Sequence, residues 1–322
     1  MTMVRSLAAA CFTLIVLAAS SYDASAQSGR TIRIIVPVPP GASTDAVARL
    51  MAEQIGRAQG VTVVVENRPG ASGMIGTEFA SRAAADGNTL LMTANTYLLD
   101  AQTRKANYHP VTSFDPICLL VESPAVFVVN SASPYRKFAD LMDAARAKPG
   151  EMSMGSVGPG STFQFAYLAF TRASKVSMTY VPFPGSAPAV TAVLGNHVTS
   201  AFSGLAVVAP HVKADKLRAL AVGTAKRVET LPDVPTFDES GYKGMEVDNW
   251  FGIVAPAGTP KETLAQLNGW FRAALQAPEV KAKLATQELY PVGTCGADYG
   301  ALIRKSYDEY GRMISEAGLK KE

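Results

Sequence analysis

Residues 32–45 read IRIIVPVPPGASTD, an apolar strand that runs through a Pro-Gly loop into a helix. That junction limits the chain to folds in which the end of a strand delivers a helix N-terminus. The apolar positions Val47, Leu50, Met51 and Ile55 recur at helical spacing, and Ser43 or Thr44 is the expected N-cap. The loop from Pro39 to Ser43 then lies at the positive end of the helix. Unpaired backbone N–H groups and the helix dipole favour an anion there, and a small carboxylate fits as well as a phosphate. No residue suited to bond-making chemistry accompanies the loop, so it reads as a binding site.

Strand-like and helical runs alternate to the end of the chain, which predicts an α/β fold with parallel sheets. Strands are expected at residues 31–36, 61–66, 89–94, 125–130, 152–156, 177–181, 198–202 and 217–222. Helices are expected at 136–148, 261–277 and 297–317. The run VPVPPGASTDAVARLM at 36–51 is answered by VPFPGSAPAVTAVLG at 181–195. Two readings are open: internal pseudo-symmetry, or the frequent use of Pro and Gly as punctuation. In the first, each half places a helix N-terminus at the carboxyl edge of its sheet, where open α/β sheets bind ligands. Two such edges across a cleft grip a molecule that is anionic at both ends.

Arg5, the apolar run 7–19 and Ala24-Ser25-Ala26 before Gln27 have the form of a cleavable secretory signal. The apolar run is shorter than the roughly 20 residues a bilayer span needs, and no later stretch replaces it. Cys11 lies inside the run with too few residues before it to serve as a lipid anchor. Cleavage leaves Cys118 and Cys295, which an oxidising compartment permits to pair; two separate buried thiols are the equally open alternative. There is no Cys-x-x-Cys pair, and His109, His197 and His211 lack ligand spacing, so no metal is expected. The formal charge of +3 suits an anionic ligand but is too diffuse for nucleic acid.

Four segments in order, IRIIVPVPPGASTD, ENRPGASGMIG at 66–76, VPFPGSAPA at 181–189 and LPDVPTFDESG at 231–241, resemble the Bug family of periplasmic solute receptors. That family is similar to the substrate-binding component of tripartite tricarboxylate transporters. The resemblance implies a two-lobed periplasmic binding protein fold of type II, each lobe a mixed, mostly parallel sheet flanked by helices. Hinge strands are expected near 122–127 and 248–251. After a signal peptide at 1–26, lobe 1 would hold residues 27–126 and 251–322, and lobe 2, inserted, residues 127–250.

The resemblance places the carboxylate-gripping loops on Pro40, Gly41, Ala42, Ser43, Thr44 and Asp45, and on Gly70, Ala71, Ser72 and Gly73, with ordered water among the contacts. For Asp45 a second reading is a first-turn acid stabilised by the dipole. Glu66, Asn67 and Arg68 read as structural, with Arg68 in a surface ion pair. Asn95 joins the candidate list. From the second lobe come Ser156, Gly160, Ser161, Thr162, Gln164, Phe183, Gly185, Ser186 and Ser203, with Ser161 and Thr162 also able to cap the helix that follows. Among aromatics, Phe183 is the expected ligand neighbour, whereas Trp250 is expected to pack against the hinge strands. Gln164 stands where relatives often carry histidine, and Thr199 and Ser203 stand where they often carry acids. Fewer acids favour a dicarboxylate or aromatic carboxylate over an amino acid.

Enzyme signatures are missing: there is no Gly-x-Ser-x-Gly elbow, no dinucleotide glycine spacing and no Walker lysine. The expected function is capture of a small organic acid, with no cofactor, and delivery to the membrane permease of a tripartite tricarboxylate transporter. The alternative is a sensory receptor that signals to a membrane kinase. A monomer is expected, without stable membrane insertion and without nucleic acid.

Overall fold

The computed structural model describes residues 29–158, 161–243, 245 and 247–316. The signal-like segment and Gly160 lie outside the described residues. The first βα units are β1 (Thr31–Val36), α1 (Ser43–Gln59), β2 (Thr62–Asn67), α2 (Met74–Ser81), β3 (Thr89–Ala94) and α3 (Asn95–Thr103), with a short 3-10 turn at Ala71–Gly73 before α2. A long strand, β4 (Phe114–Asn130), leads to α4 (Phe138–Ala147), β5 (Ser153–Val157), α5 (Thr162–Ser174), β6 (Thr179–Phe183), α6 (Ser186–Leu194), β7 (Ser200–Gly204), α7 (Leu205–Lys213) and β8 (Leu217–Val222). The chain returns through β9 (Asp248–Pro256) and closes with α8 (Lys261–Gln276), α9 (Pro278–Ala285), β10 (Tyr290–Cys295) and α10 (Ala297–Glu316).

β4 belongs to both halves of the sheet. Its first part pairs antiparallel with β9 and β10, and its last part pairs antiparallel with β7 and β8. Away from it the βα units pair in parallel: β1 with β2 and β3, and β5 with β6 and β7. The strand order is β2-β1-β3-β9-β4-β7-β5-β6. The sheet is therefore mixed, because the strands that run between the halves oppose the βα strands they join.

Each half has its own apolar core. In the first, Ile32, Ile34, Val47, Met51, Ile117, Phe271 and Leu275 pack together. In the second, Phe127, Phe138, Phe170, Phe202 and Phe237 form an aromatic cluster with ring centroids 5.0–6.4 Å apart, within the range in which edge-to-face contact is favourable. Leu99 of α3, Phe165 of α5 and Ile314 of α10 form a small cluster that bridges the halves, and Arg172 is paired with Glu316 at 2.6 Å beside it.

Cys118 and Cys295 are direct partners across β4 and β10 and are joined by a disulfide. Trp250 is buried in β9 between Tyr97 and Tyr299, with ring centroids 6.2 and 5.9 Å away. Three stretches of strand were not legible as such. Residues 114–124 contain Pro116 and Pro124, and β4 accommodates the first beside a register shift between Pro116 and Cys118. β10 carries Pro291 and a similar shift. In β9 the expected crossing at 248–251 extends to Pro256.

Candidate functional site in the cleft

The loop before α1 is held by Asp45. The Gly41 N–H donates to its Oδ2 at 2.9 Å, Arg49 Nε donates to the same oxygen at 2.9 Å, and Asn67 Nδ2 donates to Oδ1 at 2.8 Å. Asn67 Nδ2 also donates to the Val38 carbonyl at 3.1 Å. Both carboxylate oxygens are thus engaged inside the protein, and Asp45 is only 2% exposed. Burial alone would raise its carboxyl; the hydrogen bonds from Arg49, Gly41 and Asn67 outweigh burial and hold it below the ordinary carboxylate range. Asp45 is the clamp of the loop.

The expected cap differs. Ala42, in extended conformation (φ −68°, ψ 156°), is the N-cap, with no side-chain cap bond, while Ser43 and Thr44 are already helical. Asp45 reaches back from the third helical position to the residue before the cap, which takes over the anchoring a Ser or Thr cap would supply. The first-turn N–H groups receive no side-chain cap.

Facing this helix end is the turn after β2. Gly70, Ala71, Ser72 and Gly73 have φ of 124°, 46°, 57° and 100°. A run of left-handed residues that includes Ala and Ser is strained by about 1–3 kcal/mol per non-glycine residue, and the turn closes on itself, with the Gly73 N–H donating to the Gly70 carbonyl at 2.9 Å. Ser72 is exposed at its tip, and the turn packs on Pro37, 3.3 Å from where a Cβ on Gly73 would lie.

Residues of both halves meet in a cleft of about 330 Å³, lined by Ser72, Thr96 and Asp100 on one side and Val157, Gly158, Ser161, Phe183 and Pro184 on the other. Beneath it, a cavity of about 20 Å³ reaches Pro37, Thr44, Gly73 and Thr77, and shares Ser72, Thr96 and Asp100 with the cleft. Of the residues read from the sequence, Ser72, Ser161 and Phe183 line the cleft, and Thr44 and Gly73 line the cavity.

The others stand elsewhere. Pro40, Gly41, Ala42, Ser43, Asp45, Gly70 and Ala71 form or brace the two loops without lining either space. Asn95 is engaged in the fold: its Nδ2 donates to the Asp248 carbonyl at 3.0 Å and to Tyr310 Oη at 2.9 Å, and its Oδ1 accepts from the Trp250 N–H at 2.8 Å. Ser161 caps α5, accepting from the Gln164 N–H at 3.1 Å and donating to the Val157 carbonyl at 2.9 Å. Thr162 is buried and Gln164 half-buried in the first turn of α5. Gly185 and Ser186 open α6. Ser156 and Ser203 are fully buried at the ends of β5 and β7, and among the described residues neither hydroxyl has a hydrogen-bond partner.

Thr96 and Asp100 were missed. The signal was available: they follow the carboxyl end of β3, where ligand sites of open α/β sheets lie, and are spaced four apart on one helix face. Asn95, one residue earlier, is turned about 100° away, toward β9 and α10.

A larger groove of about 700 Å³ lies on the outer side of the first half and holds Arg33, Arg68 and Arg82. Its cations are already partnered. Arg68 pairs with Glu66 at 2.6 Å and stacks 3.6 Å from the Phe79 ring centroid, Arg33 lies 3.8 Å from Glu66, and Arg82 lies 3.8 Å from Glu78. The cleft, not the groove, joins the two halves: Ser72 of the left-handed turn lines it, and Thr44 of the uncapped helix end lines the cavity beneath.

Comparison with known proteins gives the same family as the motifs. The profile of the tripartite tricarboxylate transporter family receptor matches residues 47–319. BugT of Bordetella pertussis is 31% identical over 305 residues, covering 94% of each chain. An R. palustris protein solved with adipate is 30% identical, with a TM-score of 0.74 over 92% of this chain and 99% of the other. MatC from Rhodopseudomonas palustris, solved with malate, is 27% identical, with a TM-score of 0.70 over 88% of this chain and 99% of the other. With the matched profile spanning most of its length and the same two-halved α/β architecture, this chain belongs to the tripartite tricarboxylate transporter receptor family and is a periplasmic solute-binding receptor.

Proposed function

We propose that the cleft captures a small organic carboxylate, preferentially a dicarboxylate or aromatic carboxylate, and that the loaded receptor delivers it to the membrane permease of a tripartite tricarboxylate transporter. The observation that carries this reading is the convergence of the uncapped N-terminus of α1 and the left-handed turn 70–73 at the cleft floor. Backbone N–H groups there meet a carboxylate without any cation. The small cavity beneath has room for a single water that bridges the two loops to the ligand. Phe183 and Pro184 supply an apolar wall for the ligand's carbon chain. The relatives that hold adipate and malate support this ligand class.

In this reading residues up to 126 and from 251 onward form one lobe, and residues 127–250 the other. β4 and β9 act as hinge strands, and closure is stabilised by contacts the ligand makes with the second lobe. A cleavable signal peptide delivers the chain, which works as a monomer.

Thermal unfolding of protein stripped of bound ligand, against mono-, di- and tricarboxylates, aromatic acids and amino acids, tests the proposal. An acid at about 100 times its dissociation constant adds roughly 2.7 kcal/mol of stability. A shift confined to amino acids would overturn the ligand class.

Gly41→Val and Gly73→Val probe the two loops separately. Both glycines have positive φ, 88° and 100°, so valine introduces roughly 1–3 kcal/mol of backbone strain at either position. At Gly41 no atom lies within 4 Å of the added Cβ, so the strain stays in the loop. Each variant is expected to lose about tenfold or more in carboxylate affinity by calorimetry while keeping its fold by circular dichroism. Unchanged affinity in both would remove the loops from the site.

A further inference from the structure

Among the described residues lining the cleft, Asp100 is the one ionisable side chain, and no Arg or Lys accompanies it. It lies on α3 one turn beyond Thr96, is 5% exposed, and borders both the cleft and the cavity below. Arg104, the C-cap residue of α3, forms an ion pair with Asp100, its Nε 3.7 Å from Oδ1, too long for a hydrogen bond and with the Arg104 side chain 35% exposed.

The groups that face α3 from neighbouring elements do not neutralise Asp100. The turn before α2 presents Ser72, α2 presents Thr77, and α5 presents Ser161, all hydroxyls. Glu78 of α2 accepts from Asn107 at 3.1 and 3.2 Å. Arg172 of α5 is paired with Glu316 of α10, and Tyr310 of α10 is bonded to Asn95. The Tyr97 and Tyr108 phenols are pushed up by burial and stay neutral.

A carboxylate ligand in a cleft of this size sits close to Asp100, and two like charges in a partly dehydrated space cannot both remain ionised cheaply. We propose that Asp100 takes up one proton from solvent when an anionic carboxylate enters the cleft, and that its Oδ–H then donates a hydrogen bond to a ligand carboxylate oxygen. Binding is thereby coupled to protonation, and the acid–carboxylate pair selects ligands with a carboxylate at this point. The inference rests on the cleft being the carboxylate site. Burial already prepares the residue: it pushes the Asp100 carboxyl up to about 6, against a weaker downward pull from Arg104. A ligand that placed an ammonium here would pair with ionised Asp100 and show the opposite pH dependence.

Titration calorimetry of the stripped protein with adipate and malate, in two buffers of different ionisation enthalpy, reads the coupling directly. Between about pH 7 and pH 8 the dissociation constant is expected to rise up to about tenfold, with uptake of about one proton per ligand. Asp100→Asn is expected to bind with a flat pH profile and no proton uptake. Carboxylate binding by the wild type with no proton uptake and no pH dependence would overturn the coupling and leave the carboxylate site standing. A pH slope retained in Asp100→Asn would also overturn it. Failure of every acid in the panel to bind would remove the site and the coupling together.

Discussion

Replacing Asp45 with alanine is expected to lower stability by about 2–4 kcal/mol and to abolish tight ligand binding, because one side chain holds the whole first loop. The substitution leaves the Gly41 N–H without its acceptor, takes one of two acceptors from Asn67 Nδ2, and removes the carboxylate from the half-exposed Arg49, which keeps only its bond to Asn67 Oδ1 at 2.9 Å. Asp45→Asn is not expected to rescue. Both oxygens accept from donors, so an amide must turn its own NH₂ toward one of them. The pH dependence follows from the downward shift of this carboxyl. Its stabilisation is complete above the ordinary carboxylate range and is lost as pH falls through and below about 4. Urea unfolding of the wild type and of Asp45→Ala at neutral and acid pH measures both effects. A variant as stable as the wild type at neutral pH would show that the loop is held by something else.

Reduction of the disulfide is the second large effect. Cys118 and Cys295 are separated by 177 residues, so the cross-link constrains a long stretch of the unfolded chain. Its loss is expected to cost about 3–5 kcal/mol. Both cysteines sit in the core with Ile117, Phe271 and Leu275, so serine at either site also buries a hydroxyl in apolar surroundings. Comparing reduced wild type with Cys118→Ser/Cys295→Ser separates the cross-link from the hydroxyl. An unfolding midpoint unaffected by reductant would contradict this account.

Several strands were legible because each is a short apolar run bounded by Pro or Gly: residues 31–36 stop at Pro37, 217–222 stop at Gly223 and 89–94 follow Gly87, and they coincide with β1, β8 and β3. The start of β4 was not legible, because its two prolines read as turns and only pairing with β9 makes them strand. The pairing of Cys118 with Cys295 depends on the register of β10 against β4, which no local pattern encodes. In the cleft, Ser72 and Ser161 lie in loops, and Phe183 at the end of β6 runs into one, whose glycines and prolines announce a special backbone. Thr96 and Asp100 lie on an ordinary helix, and what distinguishes them is the face that the fold turns toward the second half. Asp45 was open between two roles on sequence grounds. Its three donors come from the loop, from one turn along α1 and from β2, and only the last needed tertiary structure.

The most direct test of the carboxylate cleft is a crystal structure of the stripped protein grown with adipate, preceded by calorimetry to show binding. The account predicts that adipate lies between Ser72 and Ser161, with one carboxylate against the N–H groups of the first-half loops and its methylene chain on Phe183. Adipate seated instead in the groove of Arg33, Arg68 and Arg82 would contradict it.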